Sequence, residues 1–456
     1  MDELNLRTLS QKIQSREIKV SSLISDVLDH ARRSECVFTL IDEKVLDDAE
    51  SIDQQLDDNK SMPTLSGIPI SIKDLFDIQG QKTLAGSIVL KHYAKPVLSD
   101  CDVLKPLRKS GLLFLGRTNM SEFAFSGLGI NPHYGIPKSI WERSVGRIPG
   151  GSSSGSAVSV AERISLISMG SDTAGSCRIP ATFNSVVGVK PSYGRFSLQG
   201  IFPLSHSSDA PGPIGVDVDS CYVIDQILSG NWDGYGEMPA IQPMRIKDLR
   251  LMIPDSTVLD DLDPEVQNCF DRAVLALRDA GAHIQRIPAP VIDECVDLFM
   301  NRAIAGYEAY ALHKEMMQSY ADEYDQTVLT RISSYQDVTE SEQQARYAIK
   351  RKLTQDFQDL MNNGKFDAMI SPTVSCIPPK IKHVLDPSNT RSVNLRCLRN
   401  TAIANNFDGC SMSLPSSDYG SAPTGLMISS TNDDDACLYQ IGFLVESVLN
   451  QVRATH

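Results

Sequence analysis

What this chain lacks narrows it first. It has no surplus of basic residues: 43 Lys and Arg stand against 57 Asp and Glu, a net charge of −14. Neither a nucleic-acid surface nor an anionic-membrane surface is expected, because both need clustered positive charge. Ten cysteines are present, but they form no CxxC pair and no close Cys/His cluster. Neither a structural zinc nor a disulfide framework is therefore indicated, and no metal or other cofactor is expected. No stretch approaches the ~20 apolar residues of a membrane span. The opening MDELNLRTLSQKI has no apolar segment of the kind that marks a secretory leader. Together these absences point to reduced thiols and a cytoplasmic location. Internal repeats and low-complexity tracts are also missing.

What is present is a chain of 456 residues with 41% hydrophobic content, enough for two or three average domains or one large α/β domain. It is organised around Gly146 to Gly194. Two Gly/Ser-dense turns flank a short apolar segment there. The first is Gly150-Gly151-Ser152-Ser153-Ser154-Gly155-Ser156, the second Gly170-Ser171-Asp172-Thr173-Ala174-Gly175-Ser176-Cys177-Arg178. Between them Ala157, Val158, Val160, Ala161 and Ile164 recur at helical spacing, which predicts a short buried helix. Val186-Val187-Gly188-Val189 then reads as a strand. Both turns abut rigid elements, where a site needs its groups held.

Elsewhere, Ser22 to Arg33 is amphipathic, with Ser22 or Ser21 as its cap, and Asp42 to Asp58 reads as a second helix. Ile68, Ile70 and Ile72 alternate, as in a strand with one buried face. On spacing alone that puts Lys73 at a solvent face, unless the strand is covered on both sides. Val103 to Lys109 predicts a helix and Leu112 to Gly116 a buried strand, an alternation that suggests α/β architecture. Leu249 to Pro254 reads as a strand. A helix then starts at Asp263-Pro264 and is stopped by Gly281. Residues 290–365 read as mostly helical. Phe366 to Thr373, Cys410 to Pro415 and Pro423 to Ile428 read as further strands or strand–turn units, and a last helix runs from about Asp434 to Leu449.

The two turns carry a resemblance. They are similar to the amidase signature family, whose pattern runs roughly GGSSGGS, a helix, GSDTGGSxRxPA and a GxKP run. Further matches reach from Gly67 to Ile428: GIPISIKD resembles the family's GxPxxxKD strand, Thr118 to Phe123 its TNMxEF segment, and Ile201 to Pro213 a loop ending in xxDxxGP. Asn119 and Glu122 are expected to build the pocket wall or, the favoured reading, to tie loops together. The resemblance implies a mixed central β-sheet covered by α-helices on both sides, in one amidase domain spanning 1–456. Within it, 1–60 would be N-terminal helices, 65–230 the signature core, and 290–365 a helical region bordering the substrate entrance and setting specificity.

Amide hydrolysis needs a nucleophile, a proton acceptor for it, donors for the oxyanion and an acid for the leaving amine. The eight histidines, His30, His92, His133, His206, His283, His313, His383 and His456, all lie outside both turns. The resemblance implies a Ser–Ser–Lys triad instead: Ser176 as nucleophile, Ser152 as bridging serine after a cis Gly151–Ser152 peptide, and Lys73 as base. A lysine titrates near ~10.4 unperturbed, so burial has to lower Lys73 towards ~7–8. The backbone N–H groups of Thr173, Ala174, Gly175 and Ser176 would form the oxyanion hole, with Gly151 and Ser153 against the substrate. Asp172 and Arg178 are expected to pair and hold the second turn, and Cys177 to be packing.

Two departures stand out. Ala174 replaces the commoner glycine, a strained choice only if that position needs a positive φ, and Ser154 replaces another. The DTAGS form also occurs in allophanate-hydrolase-like members, so a ureide substrate stays open beside the default, a small-molecule amide. The family also includes the amidase component of glutamine-dependent tRNA amidotransferase. There an SIRQP run carries a glutamine that Cys177-Arg178-Ile179-Pro180 lacks, which points to a stand-alone amidase. A homodimer is left open. Three rival readings of the first turn are weaker. A flexible linker would not be flanked by patterned structure. A G-x-S-x-G elbow with Ser153 as nucleophile should follow a strand and needs a late histidine such as His383. A phosphate loop would need a following Lys-Ser/Thr.

Overall fold

The structure is a computed structural model that describes residues 4–453. His456 and the outermost residues of the expected 1–456 domain lie outside the described residues. Eleven strands form one sheet: β1 (Phe38–Ile41), β2 (Pro69–Lys73), β3 (Leu113–Thr118), β4 (Ile167–Asp172), β5 (Val187–Lys190), β6 (Ala210–Gly215), β7 (Arg250–Asp255), β8 (His283–Pro288), β9 (Ala368–Pro372), β10 (Ser411–Pro415) and β11 (Gly425–Ser429). Their spatial order is β1-β3-β2-β4-β6-β5-β10-β11-β9-β7-β8. β2 runs parallel to both neighbours, β3 and β4. β4, β6, β5, β10, β11 and β9 are antiparallel in turn, and β9, β7 and β8 are parallel again. The sheet is mixed, and helices flank it.

Edge and centre differ as burial requires. Every residue of β2, β3, β4, β5, β6, β9, β10 and β11 is buried, whereas no residue of the edge strand β8 is. The solvent-face reading of Lys73 on spacing alone is thereby corrected. β2 lies between two strands with the helix Ser154–Ala161 packed against it, and all five of its residues are buried, so both its faces are covered. The polar alternation belongs to Ser71, whose hydroxyl meets Ser159 Oγ at 2.7 Å inside the protein.

Two further expectations change. Of the stripe the spacing predicts, Leu23, Ile24, Val27 and Leu28, the helix Val20–Arg33 buries the last three, with Val20 buried and Leu23 only half-buried, and neither Ser21 nor Ser22 caps it. The Val20 and Ser21 amides instead donate to the Asp53 carboxylate at 2.8 and 2.9 Å. The run expected to be a loop before Pro213 ends in β6, Ala210-Pro211-Gly212-Pro213-Ile214-Gly215. Proline belongs where no ladder N–H is needed. β6 pairs with β4 along its whole length but with β5 only at Ile214 and Gly215, which leaves Pro211 and Pro213 room. Residues 290–365 are helical as expected, in Pro290–Arg302, Ile304–Tyr320, Gln326–Ser333 and Glu340–Gly364.

Candidate active site

The parallel strands β2 and β4 end side by side, with Lys73 closing β2 and β4 running slightly further to close at Asp172. Open α/β sheets present ligands at such carboxyl ends. The first Gly/Ser turn leads into the helix Ser154–Ala161, and the second leaves β4 for the helix Arg178–Phe183. Ser153 N–H donates to the Ser176 carbonyl at 3.2 Å, which ties the two turns together.

Lys73 is fully buried and donates from Nζ to Ser152 Oγ at 2.7 Å and to Ser171 Oγ at 2.8 Å. Burial disfavours the ammonium form and pulls the lysine down to about 8, against a partial counter-pull from the Cys177, Asp172 and Asp209 side. The Gly151–Ser152 peptide is cis. A Cβ on Gly151 would lie 2.5 Å from Gly129 N and 2.8 Å from Ser121 Oγ, so the turn packs at backbone contact and only glycine fits. Ser176 is 4% exposed and lines a cavity of about 690 Å³. Among the described residues no hydrogen bond engages the Ser176 hydroxyl, with Ser152 or with any other group.

Of the four amides expected to cradle an oxyanion, Thr173, Ala174 and Ser176 belong to residues that line the cavity. Gly175 does not, and its N–H is taken by Asp172 Oδ1 at 2.8 Å. Gly175 is the residue that needs glycine: its φ is +127°, and a Cβ there would meet Thr401 Oγ1 at 2.1 Å. Ala174 is not among the positive-φ residues, so alanine costs the turn nothing there. Gly151 and Ser153 lie behind the cavity rather than in its wall. Ser153 is fully buried, and its hydroxyl donates to the Ser171 carbonyl at 3.3 Å. Among the described residues no histidine lines the cavity.

Asp172 and Arg178, both fully buried, form a two-point pair at 2.9 and 3.1 Å. Burial raises the Asp172 carboxyl, but Arg178, with Lys190 and the Cys177 amide, outweighs it and holds the group at about 2. Cys177 is buried, and desolvation pushes its thiol well up, which suits packing and not reaction. Truncating Arg178 would leave Asp172 buried without its partner. Arg178→Ala is expected to lower unfolding free energy by about 3–5 kcal/mol in a urea titration. Arg178→Lys should recover little, since an ammonium cannot reproduce the fork.

Asn119 and Glu122 tie loops. The Asn119 amide donates to the carbonyls of Cys36, Tyr134 and Gly135. The Glu122 carboxylate takes Ser87 Oγ at 2.7 Å and the Asp325 amide at 2.7 Å. Sequence reasoning missed Ser171, the second partner of Lys73, although it stands in the GSD run beside Asp172. It names Asp209 only as the Asp of the xxDxxGP run, with no role; here that carboxylate accepts from Thr173 Oγ1 at 2.5 Å and from the Leu204 and Ser205 amides at 2.9 and 3.0 Å. Burial raises Asp209 to about 6. The cavity's far wall comes from the helices Gln326–Ser333 and Pro387–Leu398, where no motif marks the residues.

Comparison with known proteins shows the family and the fold. The Amidase family model matches residues 20–438. A 2-amino-5-chloromuconic acid deaminase of Comamonas testosteroni is 30% identical over 456 residues, covering 99% of this chain and 97% of its own. A glutamyl-tRNA(Gln) amidotransferase component of Syntrophus aciditrophicus is 31% identical over 312 residues, covering 65% of this chain and 63% of its own. A solved amidase superposes with a TM-score of 0.85 at 26% identity, over 97% of this chain and 99% of that one. No described helix is long and apolar enough to cross a membrane. The chain belongs to the amidase signature family and is a hydrolase acting on the C–N bond of amides.

Proposed function

We propose that the chain hydrolyses a small-molecule amide to a carboxylate and ammonia or an amine, through an acyl-enzyme on Ser176. One observation carries this reading. A fully buried lysine, lowered to about 8, holds the first of two serines at 2.7 Å, and the second serine opens on the cavity. Neutral Lys73 accepts the Ser152 proton, while Ser152 accepts that of Ser176 as its Oγ attacks the carbonyl carbon. The oxygen that gains charge is met by the Thr173, Ala174 and Ser176 amides. The proton returns along Lys73 and Ser152 to the leaving nitrogen, and the C–N bond breaks. Water, deprotonated by the same chain, then releases the acid.

The relatives divide on whether such a chain works alone. Cys177-Arg178-Ile179-Pro180 lacks the glutamine expected of the tRNA-amidotransferase component, which favours a stand-alone enzyme. Free cysteines throughout the described chain fit a reducing compartment, and we place the enzyme in the cytoplasm. The purified chain is expected to release ammonia from members of a small aliphatic and aryl amide library with no second protein added. Release that begins only on addition of a partner protein would decide for the reading as one component of a complex. Activity should also survive exhaustive chelation. A loss restored by zinc or manganese would show that a metal takes part.

A further inference from the structure

We propose that the cavity recognises its substrate through a carboxylate remote from the scissile bond, held by Arg331 and Arg391, so that the substrates are amides of anionic acids. The proposal rests on the amidase reading and names its substrate class.

The argument begins from charge. The chain carries a net −14, yet among the described residues no Asp or Glu lines the cavity, and the charged residues in its wall are Arg331 and Arg391. Neither guanidinium has an ion-pair partner among the described residues. The acid whose field reaches Arg331 is Asp325, and that carboxylate is occupied as the cap of its own helix, taking the Thr327 amide at 2.8 Å. Burial works against the Arg331 charge. A guanidinium held away from water without a counter-charge, as Arg331 is, is costly, and an anionic ligand supplies one; Arg391 is exposed and adds a second positive charge at the cavity wall.

The site is also fixed in place. Arg331 donates from Nη1 to the Phe125 carbonyl, and its guanidinium carbon stands 5.8 Å from the Phe125 ring centre. Its remaining nitrogens have no acceptor among the described residues, which leaves a fork of the kind that grips a carboxylate at two points. Asn394, one turn beyond Arg391 on the helix Pro387–Leu398, accepts from Ser126 Oγ at 3.1 Å and from Gly127 N–H at 2.9 Å, so its own amide N–H groups are spare. The segment Phe125–Gly127 is thus clamped from both helices. The Gly127 carbonyl in turn accepts Gly151 N–H at 2.9 Å, one residue before Ser152. The guanidinium wall and the serine turn share one rigid segment and one cavity, so an anion on the first sets where an amide lies on the second.

The test pairs anionic amides, succinamate and glutaramate, with neutral counterparts of the same length, butyramide and valeramide. In the wild type, kcat/KM for ammonia release is expected to favour the anionic member on the order of 100-fold. Arg331→Met should erase that preference, chiefly through KM, and Arg331→Lys should restore only part of it. Arg391→Ala, at the exposed end and with no backbone contact, should reduce it by about 3- to 10-fold. In parallel, a fluorophosphonate labels Ser176, and succinate or glutarate should slow that labelling in the wild type but not in Arg331→Met. No labelling of the wild type would overturn the nucleophile reading and this proposal with it. Labelling that dicarboxylates leave unslowed, or equal losses on charged and neutral amides, would overturn this proposal alone. If Arg331→Met does not fold, the wild-type preference and Arg391→Ala decide.

Discussion

Replacing Ser176 by alanine is expected to remove turnover, on the order of 10⁴-fold or more in kcat, from a chain that remains folded. The expectation of intact folding has a structural reason. The Ser176 hydroxyl makes no hydrogen bond among the described residues and borders the cavity, so truncation leaves no partner unsatisfied. Ser153 is the informative control. Its hydroxyl is fully buried and serves the Ser171 backbone, so Ser153→Ala should cost about 1 kcal/mol of stability and keep its turnover. A serine-directed phosphonylating probe gives the same contrast without a known substrate. It should mark wild type and Ser153→Ala, and pass over Ser176→Ala. The reverse pattern would hand the reaction to Ser153 and revive the strand–turn–helix elbow.

That control shows how much of the site was legible in the sequence. Gly/Ser-dense turns are conspicuous, and the resemblance assigns roles within them. Their geometry is less evident from composition. Ser153 and Ser176 both look like exposed loop serines, but one is sealed behind the turn and the other faces the cavity. The turns themselves are buried at every residue but Ala174, which is partly exposed, and a flexible linker would not be. β4 escaped notice because its last residues, Gly170, Ser171 and Asp172, read as the start of the second turn. In the folded chain Ser168 Oγ donates to the Ser71 carbonyl at 2.9 Å, and Asp172 meets Arg178, so polar residues are satisfied inside a central strand. β6 was hidden by its prolines. Arg331 and Asn394 could not be found at all. They stand far along the chain from both turns, on helices whose spacing is ordinary, and only the fold brings them to the cavity. Residues fixed by local backbone geometry leave a local pattern, whereas those recruited by packing leave none.

Loss of Lys73 should be the second large effect, and its pH dependence separates this mechanism from any based on histidine. Lys73→Ala is expected to lower kcat/KM by about 10²- to 10⁴-fold, the usual contribution of a positioned base. Lys73→Arg should not rescue, because a guanidinium cannot give up its proton at working pH. Ser152→Ala should break the relay yet leave the oxyanion amides, so a low residual rate is expected. In the wild type the neutral lysine is the active form. The rate should therefore rise with pH through about 8 and then level off. Stability follows the same group. Between about 8 and the ordinary value of 10.5, the unfolded chain holds a proton that folded Lys73 has released, so stability should rise with pH across that window. Lys190 contributes in the same sense, since burial also lowers it to about 8. It donates to the Pro191 and Gly409 carbonyls and does not line the cavity, so stability alone cannot assign the rise to Lys73. The residual rate of Lys73→Ala can: with Lys190 unchanged, its profile should be flat through pH 8. A rise that persists in Lys73→Ala, or near-wild-type rates set by a histidine ionisation, would take the base away from Lys73.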